Sequence, residues 1–199
     1  PSIKSALSIG MGSSVVEHGG PCMVSCGVVM DAVAYRDTEK LPGLAGCTAE
    51  MWPEGTNSKA SQEIGQAFEF IGARISADGR REYTLLSAET LTKHFSTALE
   101  LTSDLLLHPN FPDHEVERVR REHLTELRRG KDEPNAVAEQ LMAGLVFNKD
   151  SGYGHSLSGT ETSNGSLTRE DLVRQFSRDY SPCTLYNSDA ADEVVCVDI

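Results

Sequence analysis

Asp78-Gly79 lies between two runs that read as strands, Ala73 to Ala77 and Glu82 to Ala88. Aspartate followed by glycine suits the left-handed backbone of a tight turn, so the pair predicts a β-hairpin. The hairpin constrains the rest, because segments of helical period flank it on both sides and need a sheet face to cover. Upstream, Gly43 to Trp52 reads as a short helix with Leu44, Cys47, Thr48 and Met51 as its apolar stripe. Pro53 stops it, since the ring obstructs the preceding turn. Ser58 is placed to cap a longer helix to Ile71, with Ile64, Phe68 and Ile71 at helical spacing and Gly72 as terminator.

Earlier still, Ala6 to Ile9 and Ser14 to Glu17 are short β-compatible runs, and Cys22 to Ala32 alternates with Val24, Cys26, Val28, Met30 and Ala32 on one face. Downstream, helices are expected over Leu91 to Leu107, Asp113 to Arg129 and Pro134 to Phe147. A glycine-rich loop, Ser151 to Gly159, leads to Thr168, which with Asp171 forms a capping-box start for a helix through Tyr180. Two short strand candidates, Thr184 to Asn187 and Glu193 to Val197, finish the chain. The order predicts an α+β fold, a mostly antiparallel sheet with helices packed on one side. With no internal repeat and no linker, residues 1–199 read as one domain.

Charge narrows the function. Thirty acidic residues against eighteen basic ones give a net charge of -12, opposite to what counterion release from a phosphate backbone requires, so no nucleic-acid partner is expected. The basic concentration from Arg118 to Lys131 is interleaved with Glu115, Glu117, Glu122 and Glu126 and reads as a solvated helix face with local ion pairs. No apolar run approaches the length of a membrane span, and the compartment is unknown. Five cysteines without a C-x-x-C pair read as small buried hydrophobes. The six histidines are scattered, none in an H-E-x-x-H or H-x-x-E-H pair, and Asn164-Gly165-Ser166 matches a glycosylation acceptor pattern that matters only in a secreted chain.

The stretch from Leu41-Pro42-Gly43-Leu44-Ala45-Gly46-Cys47-Thr48-Ala49-Glu50 to Gly55-Thr56 resembles the segment around the zinc-binding helix of the pitrilysin or insulinase family of metallopeptidases, M16. Further matches follow in register: Gln62-Glu63-Ile64, Leu105 to Pro109 with Phe111-Pro112, Asp132-Glu133-Pro134, and the run from Tyr153-Gly154-His155 through Gly159-Thr160-Glu161 to Leu167-Thr168. Together they span roughly Leu7 to Pro182, and their shared order carries more weight than any single piece. The resemblance implies the N-terminal domain of an M16 metallohydrolase, the first of the family's usual two.

In catalytic relatives the short helix carries H-x-x-E-H, two zinc-binding histidines around a general-base glutamate, and a later helix supplies a third ligand. The resemblance puts those three places on Gly46, Ala49 and Glu50, the later ligand on Glu126, and a supporting carboxylate on Val119. Helical spacing alone agrees that a site would have to be built there: with Leu44, Cys47 and Met51 packed, Gly46, Ala49 and Glu50 point the other way. A catalytic zinc wants about three ligands, usually with imidazole among them, and only Glu50 and Glu126 offer donors. Two carboxylates suit a hard cation better than zinc, if they hold any ion. Glu126 borders the stripe of Val116, Val119, His123 and Leu127, either partly buried or as a solvated edge residue.

The resemblance therefore implies a non-catalytic domain without zinc, paired with a zinc-bearing M16 chain or second M16 domain and enclosing peptide substrate, whose backbone adds to a sheet edge. Its acidic charge favours basic peptides. An active zinc endopeptidase with an atypical or shared metal site, and an architectural subunit of a larger complex, are the alternatives.

Overall fold

A computed structural model describes residues 2–6, 12–16, 23–30, 32, 34–37, 41–147, 153–154 and 156–180. Every strand pairing in it is antiparallel. The strands β1 (Ser2–Ala6) and β2 (Gly12–Val16) form a two-stranded sheet; β3 (Met23–Met30), β4 (Arg74–Gly79) and β5 (Thr84–Leu91) form a second with β5 in the middle. Register places Val28, Leu86 and Ala77 in one cross-strand row and Cys26, Ala88 and Ile75 in the next. Side chains alternate across a pleat, so these rows make one apolar face. Leu86 and Ala88 are buried there, whereas Met23 and Leu91 of the other face are exposed.

Seven helices are described: α1 (Leu44–Met51), α2 (Ser61–Phe70), α3 (Phe95–Leu107), α4 (Asp113–Gly130), α5 (Pro134–Val146), α6 (Glu161–Ser166) and α7 (Arg169–Asp179). Trp52 joins the sheet to them. Fully buried between Leu86, Val28 and Tyr180, it meets Tyr180 edge-on at 4.9 Å and donates its indole N–H to the Leu105 carbonyl at 2.8 Å. A buried aromatic of this size contributes about 1.5–3 kcal/mol through area alone, and the satisfied N–H removes the cost of burying a donor. Pro53 follows within a single 3-10 turn, Trp52–Glu54, so α1 ends where the proline requires.

Several local expectations shift. The hairpin forms, but Asp78 and Gly79 lie inside β4, paired with Leu85 and Thr84. The turn is Arg80 to Tyr83, closed by the Arg80 N–H on the Tyr83 carbonyl at 2.8 Å. Ser58 does not cap α2, because its hydroxyl donates to Asp104 at 2.7 Å; α2 begins after Ala60, whose N–H is taken by Glu63. Leu91 remains in β5, paired with Met23, and α3 starts only at Phe95 after a 3-10 turn. The first strand is displaced to Ser2–Ala6, and the rest of the Ala6 to Ile9 run lies outside the described residues, as do both strand candidates after Pro182. Helix α6 was not foreseen. Gly72, at φ +63°, ends α2 as expected, and Thr168 and Asp171 exchange the bonds of a capping box at the start of α7.

Candidate functional site

Helix α1 is fastened at its start before its faces matter. Gly43 turns the chain at φ +88°, and Asp37 accepts the N–H groups of Gly43 at 3.0 Å and Ala45 at 3.1 Å, two of the donors that a helix start leaves unpaired. Burial pushes the Asp37 carboxyl up to about 6 in spite of those bonds. Gln175 of α7 completes the fastening, donating to Asp37 at 3.4 Å and accepting the Thr48 hydroxyl at 2.6 Å.

One face of α1 is core. Cys47 and Met51 pack with Val116 and Val119 of α4 and Leu172 of α7. Desolvation raises the Cys47 thiol to about 12, so it is an inert filler and no thiolate ligand.

The other face carries Gly46, Ala49 and Glu50, the three positions that the resemblance assigns to the motif. Gly46 lies under the Leu157 carbonyl: a Cβ there would come within 2.8 Å of that oxygen. Ala49 is fully buried, and the end of β4 presses against both, since a Cβ on Gly79 would come within 3.1 Å of the Ala49 methyl and 3.2 Å of the Gly46 Cα. This close approach gives a reason for glycine at the end of a strand, outside any turn. Where a ligand-bearing helix would need room, backbone fills the space.

Glu50 alone projects, half exposed, and it has a partner. Its carboxylate meets His123 Nε2 of α4 at 2.6 Å, while His123 Nδ1 faces the Asn164 Oδ1 of α6 at 3.3 Å. The Asn164 amide nitrogen is committed to the Ser158 and Thr160 carbonyls at 2.8 and 3.0 Å, which fixes the oxygen toward the ring. Both ring nitrogens of a 4% exposed histidine therefore face acceptors, and only the imidazolium donates to both. The Glu50 bond is the main cause raising the His123 pKa, opposed by burial and aided by Asn164 and the nearby Glu126 charge.

Glu126 is exposed. Val116 and Val119 of the α4 stripe are buried with His123, but Glu126 takes the solvated edge position. The structure thus brings Gly46, Ala49 and Glu50 together on one face, with Glu126 one turn beyond their histidine partner. His123 is buried in the apolar stripe as its spacing predicts, but its pairing with Glu50 was not foreseen, since no local pattern links residues 73 apart in the chain. Sequence reading also took Asn164 as part of a glycosylation pattern, whereas the side chain is 1% exposed and fully bonded. Its burial beside a histidine in an apolar stripe leaves no trace in spacing.

The donors do not suit a resident zinc. A catalytic ion needs about three ligands and an open position, and this face offers one carboxylate already held by a buried imidazole. Among the described residues no group of three or more His, Cys, Asp or Glu side chains is placed to hold an ion. An open cleft of about 580 Å³ between α2 and α3 shares no residue with this face. The basic stretch of α4 is a solvated face laced by ion pairs, with Arg118 bridging Glu115, Glu122 and Glu54. No helix among the described residues is long and apolar enough to cross a membrane.

Known proteins share this frame. The structure is similar to a peptidase M16 inactive domain from Pseudomonas fluorescens, with a TM-score of 0.82 and 21% identity over 88% of this chain and 43% of that one. In sequence the chain is 26% identical to the uncharacterized zinc protease YmxG of Bacillus subtilis over 85% of this chain and 41% of the relative. It is 24% identical to a probable mitochondrial-processing peptidase subunit beta of Arabidopsis thaliana, with 78% and 29% covered, and 23% identical to cytochrome b-c1 complex subunit 1 of Mus musculus, with 82% and 34% covered. The chain thus spans less than half the length of these relatives, two of which are by name subunits of larger assemblies. The family model of the insulinases, peptidase family M16, matches residues 16–161, nearly three quarters of the sequence, and the chain belongs to that family.

Proposed function

We propose that this is a non-catalytic M16 domain that holds no zinc, pairs with a zinc-bearing M16 chain or second M16 domain, and helps enclose peptide substrate. The observation that carries the reading is the outer face of α1. Gly46 and Ala49 have no donor atoms and lie against Leu157 and Gly79, while Glu50 is engaged by His123. Two of the three positions carry no donor and the third is engaged by an imidazole, so this face lacks the ligand set that would hold an ion against a water molecule.

Its contribution is then shape and charge. The strand β4 is an edge of the three-stranded sheet, paired only with β5 among the described residues, so an extended peptide can add to it through main-chain hydrogen bonds. The net charge of -12 favours basic peptides. Copurification from the native source, with metal analysis of each separated chain, tests this reading. A partner bearing intact H-x-x-E-H that holds the zinc supports it. Zinc near one per chain here, with peptide hydrolysis by this chain alone, overturns it in favour of an active peptidase. A stoichiometric partner without any peptide affinity selects an architectural subunit instead.

A further inference from the structure

We infer that Glu50, His123 and Asn164 form a metal-free tie that fixes α1 to α4 and α6 on the face of α1 bearing Gly46 and Ala49. The inference rests on the reading above that this chain holds no zinc, and it goes further by assigning those three side chains a joint role. An ion held between α1 and α4 would join the two helices. Here the same two helices are joined by the 2.6 Å bond from His123 to Glu50.

Three features separate the tie from an incidental surface contact. The ring is 4% exposed, so its charge is held away from water and depends on its partners. Its second nitrogen is engaged by Asn164, whose amide group is itself locked by two carbonyls, so the ring cannot rotate without breaking a network that spans three helices. The charged groups around it, Glu50 from α1 and Glu126 from α4, are both acidic, while α6 contributes the neutral Asn164. Local charge and geometry both favour a doubly protonated ring that bridges.

A four-member cycle in the full chain tests it: wild type, Glu50→Ala, His123→Gln and the pair, each unfolded in urea with chelator and again with added zinc chloride. Each single change is expected to raise the unfolding equilibrium constant about tenfold, as for loss of a charge-assisted hydrogen bond. The pair should cost no more than the larger single. Neither chelator nor zinc should move the wild-type midpoint. Additive single effects overturn the tie even where the wild type ignores chelator. A wild-type midpoint that falls with chelator and recovers with zinc overturns the zinc-free reading, and the tie with it. A second measurement does not depend on any variant folding: ring-nitrogen NMR of the wild type near pH 6 should show His123 protonated at both nitrogens, and a singly protonated ring at that pH overturns the tie. Glu50→His replaces the acceptor with a second imidazole and should lower the midpoint in chelator; a Glu50→His protein as stable in chelator as the wild type counts against the tie.

Discussion

The two faces of α1 are stabilised by opposite means. On the inner face, side chains fill space: Cys47 and Met51 interlock with Val116, Val119 and Leu172. On the outer face, side chains are withdrawn so that backbone can approach, with Gly46 under the Leu157 carbonyl and Ala49 against Gly79. Only Glu50 extends, and it reaches a buried histidine. The contrast teaches that a helix face without donor atoms need not be hollow, because neighbouring backbone can close onto small residues. It also ranks the two faces: the inner one is governed by volume, the outer one by clearance and one polar contact.

Breaking the inner face should have the largest effect. Met51 is fully buried, so Met51→Ala removes packed methylenes and leaves a cavity, at a cost of about 2–5 kcal/mol by urea unfolding. A smaller loss would mean that the inner face collapses around the gap and that volume does not govern it.

The outer face is sharpened by a pair of alanines. Gly46→Ala gains helix propensity worth about 1 kcal/mol but drives a methyl to within 2.8 Å of a backbone oxygen, and overpacking of that kind costs about 1–3 kcal/mol. The net expectation is a loss of about 1 kcal/mol. Gly65→Ala in α2, where a methyl would meet nothing within 4 Å, should instead gain about 0.5–1 kcal/mol. If both substitutions stabilise, clearance does not govern the outer face.

The tie adds a pH dependence that the packed face lacks. His123 has a raised pKa in the folded protein against 6.5 when unfolded, so the stability it contributes is fully present below pH 6.5 and is lost as pH rises through the folded-state value. Asp37 acts in a lower window: its carboxyl rises from 3.8 to about 6 on folding, so protonating it favours the fold between those values. The stability difference between wild type and His123→Gln should therefore be larger at pH 6 than at pH 9. Equal differences at the two pH values would leave the outer face governed by clearance alone.

What the sequence revealed followed range. Gly72, Pro53 and the Thr168–Asp171 box were readable because each acts through its own backbone within a turn. The inner stripe of α1 was readable because 3.6-residue periodicity reports which side is apolar. Gly79 was misplaced because its chemistry suits a turn equally well, and only packing against Gly46 and Ala49 decides between the uses. Ser58 resembles a cap until Asp104, 46 residues away, claims its hydroxyl. Helix α6, built from Glu-Thr-Ser-Asn-Gly-Ser, has no apolar period and is held by its Thr160 cap and by the Ser163 bond to the Pro42 carbonyl at 2.8 Å. Gly46, Ala49 and Glu50 could be assigned to one helix face from spacing, yet the histidine that answers Glu50 could be found only once α4 was laid against α1.

Glu126 gives the smallest expected effect and the sharpest separation between readings. It is exposed, so Glu126→Gln should change stability at neutral pH by no more than about 0.5 kcal/mol, the usual range for a surface substitution. Its charge nevertheless helps raise the His123 pKa, and removing it should lower that value, by less than Glu50→Gln does because Glu50 is in direct contact and Glu126 acts through space. NMR titration of the His123 ring in both variants measures the two shifts. A larger shift from Glu126 would place it in the tie. If Glu126→Gln instead removes bound zinc and abolishes peptide hydrolysis, Glu126 is a working ligand and the outer face of α1 belongs to an active site.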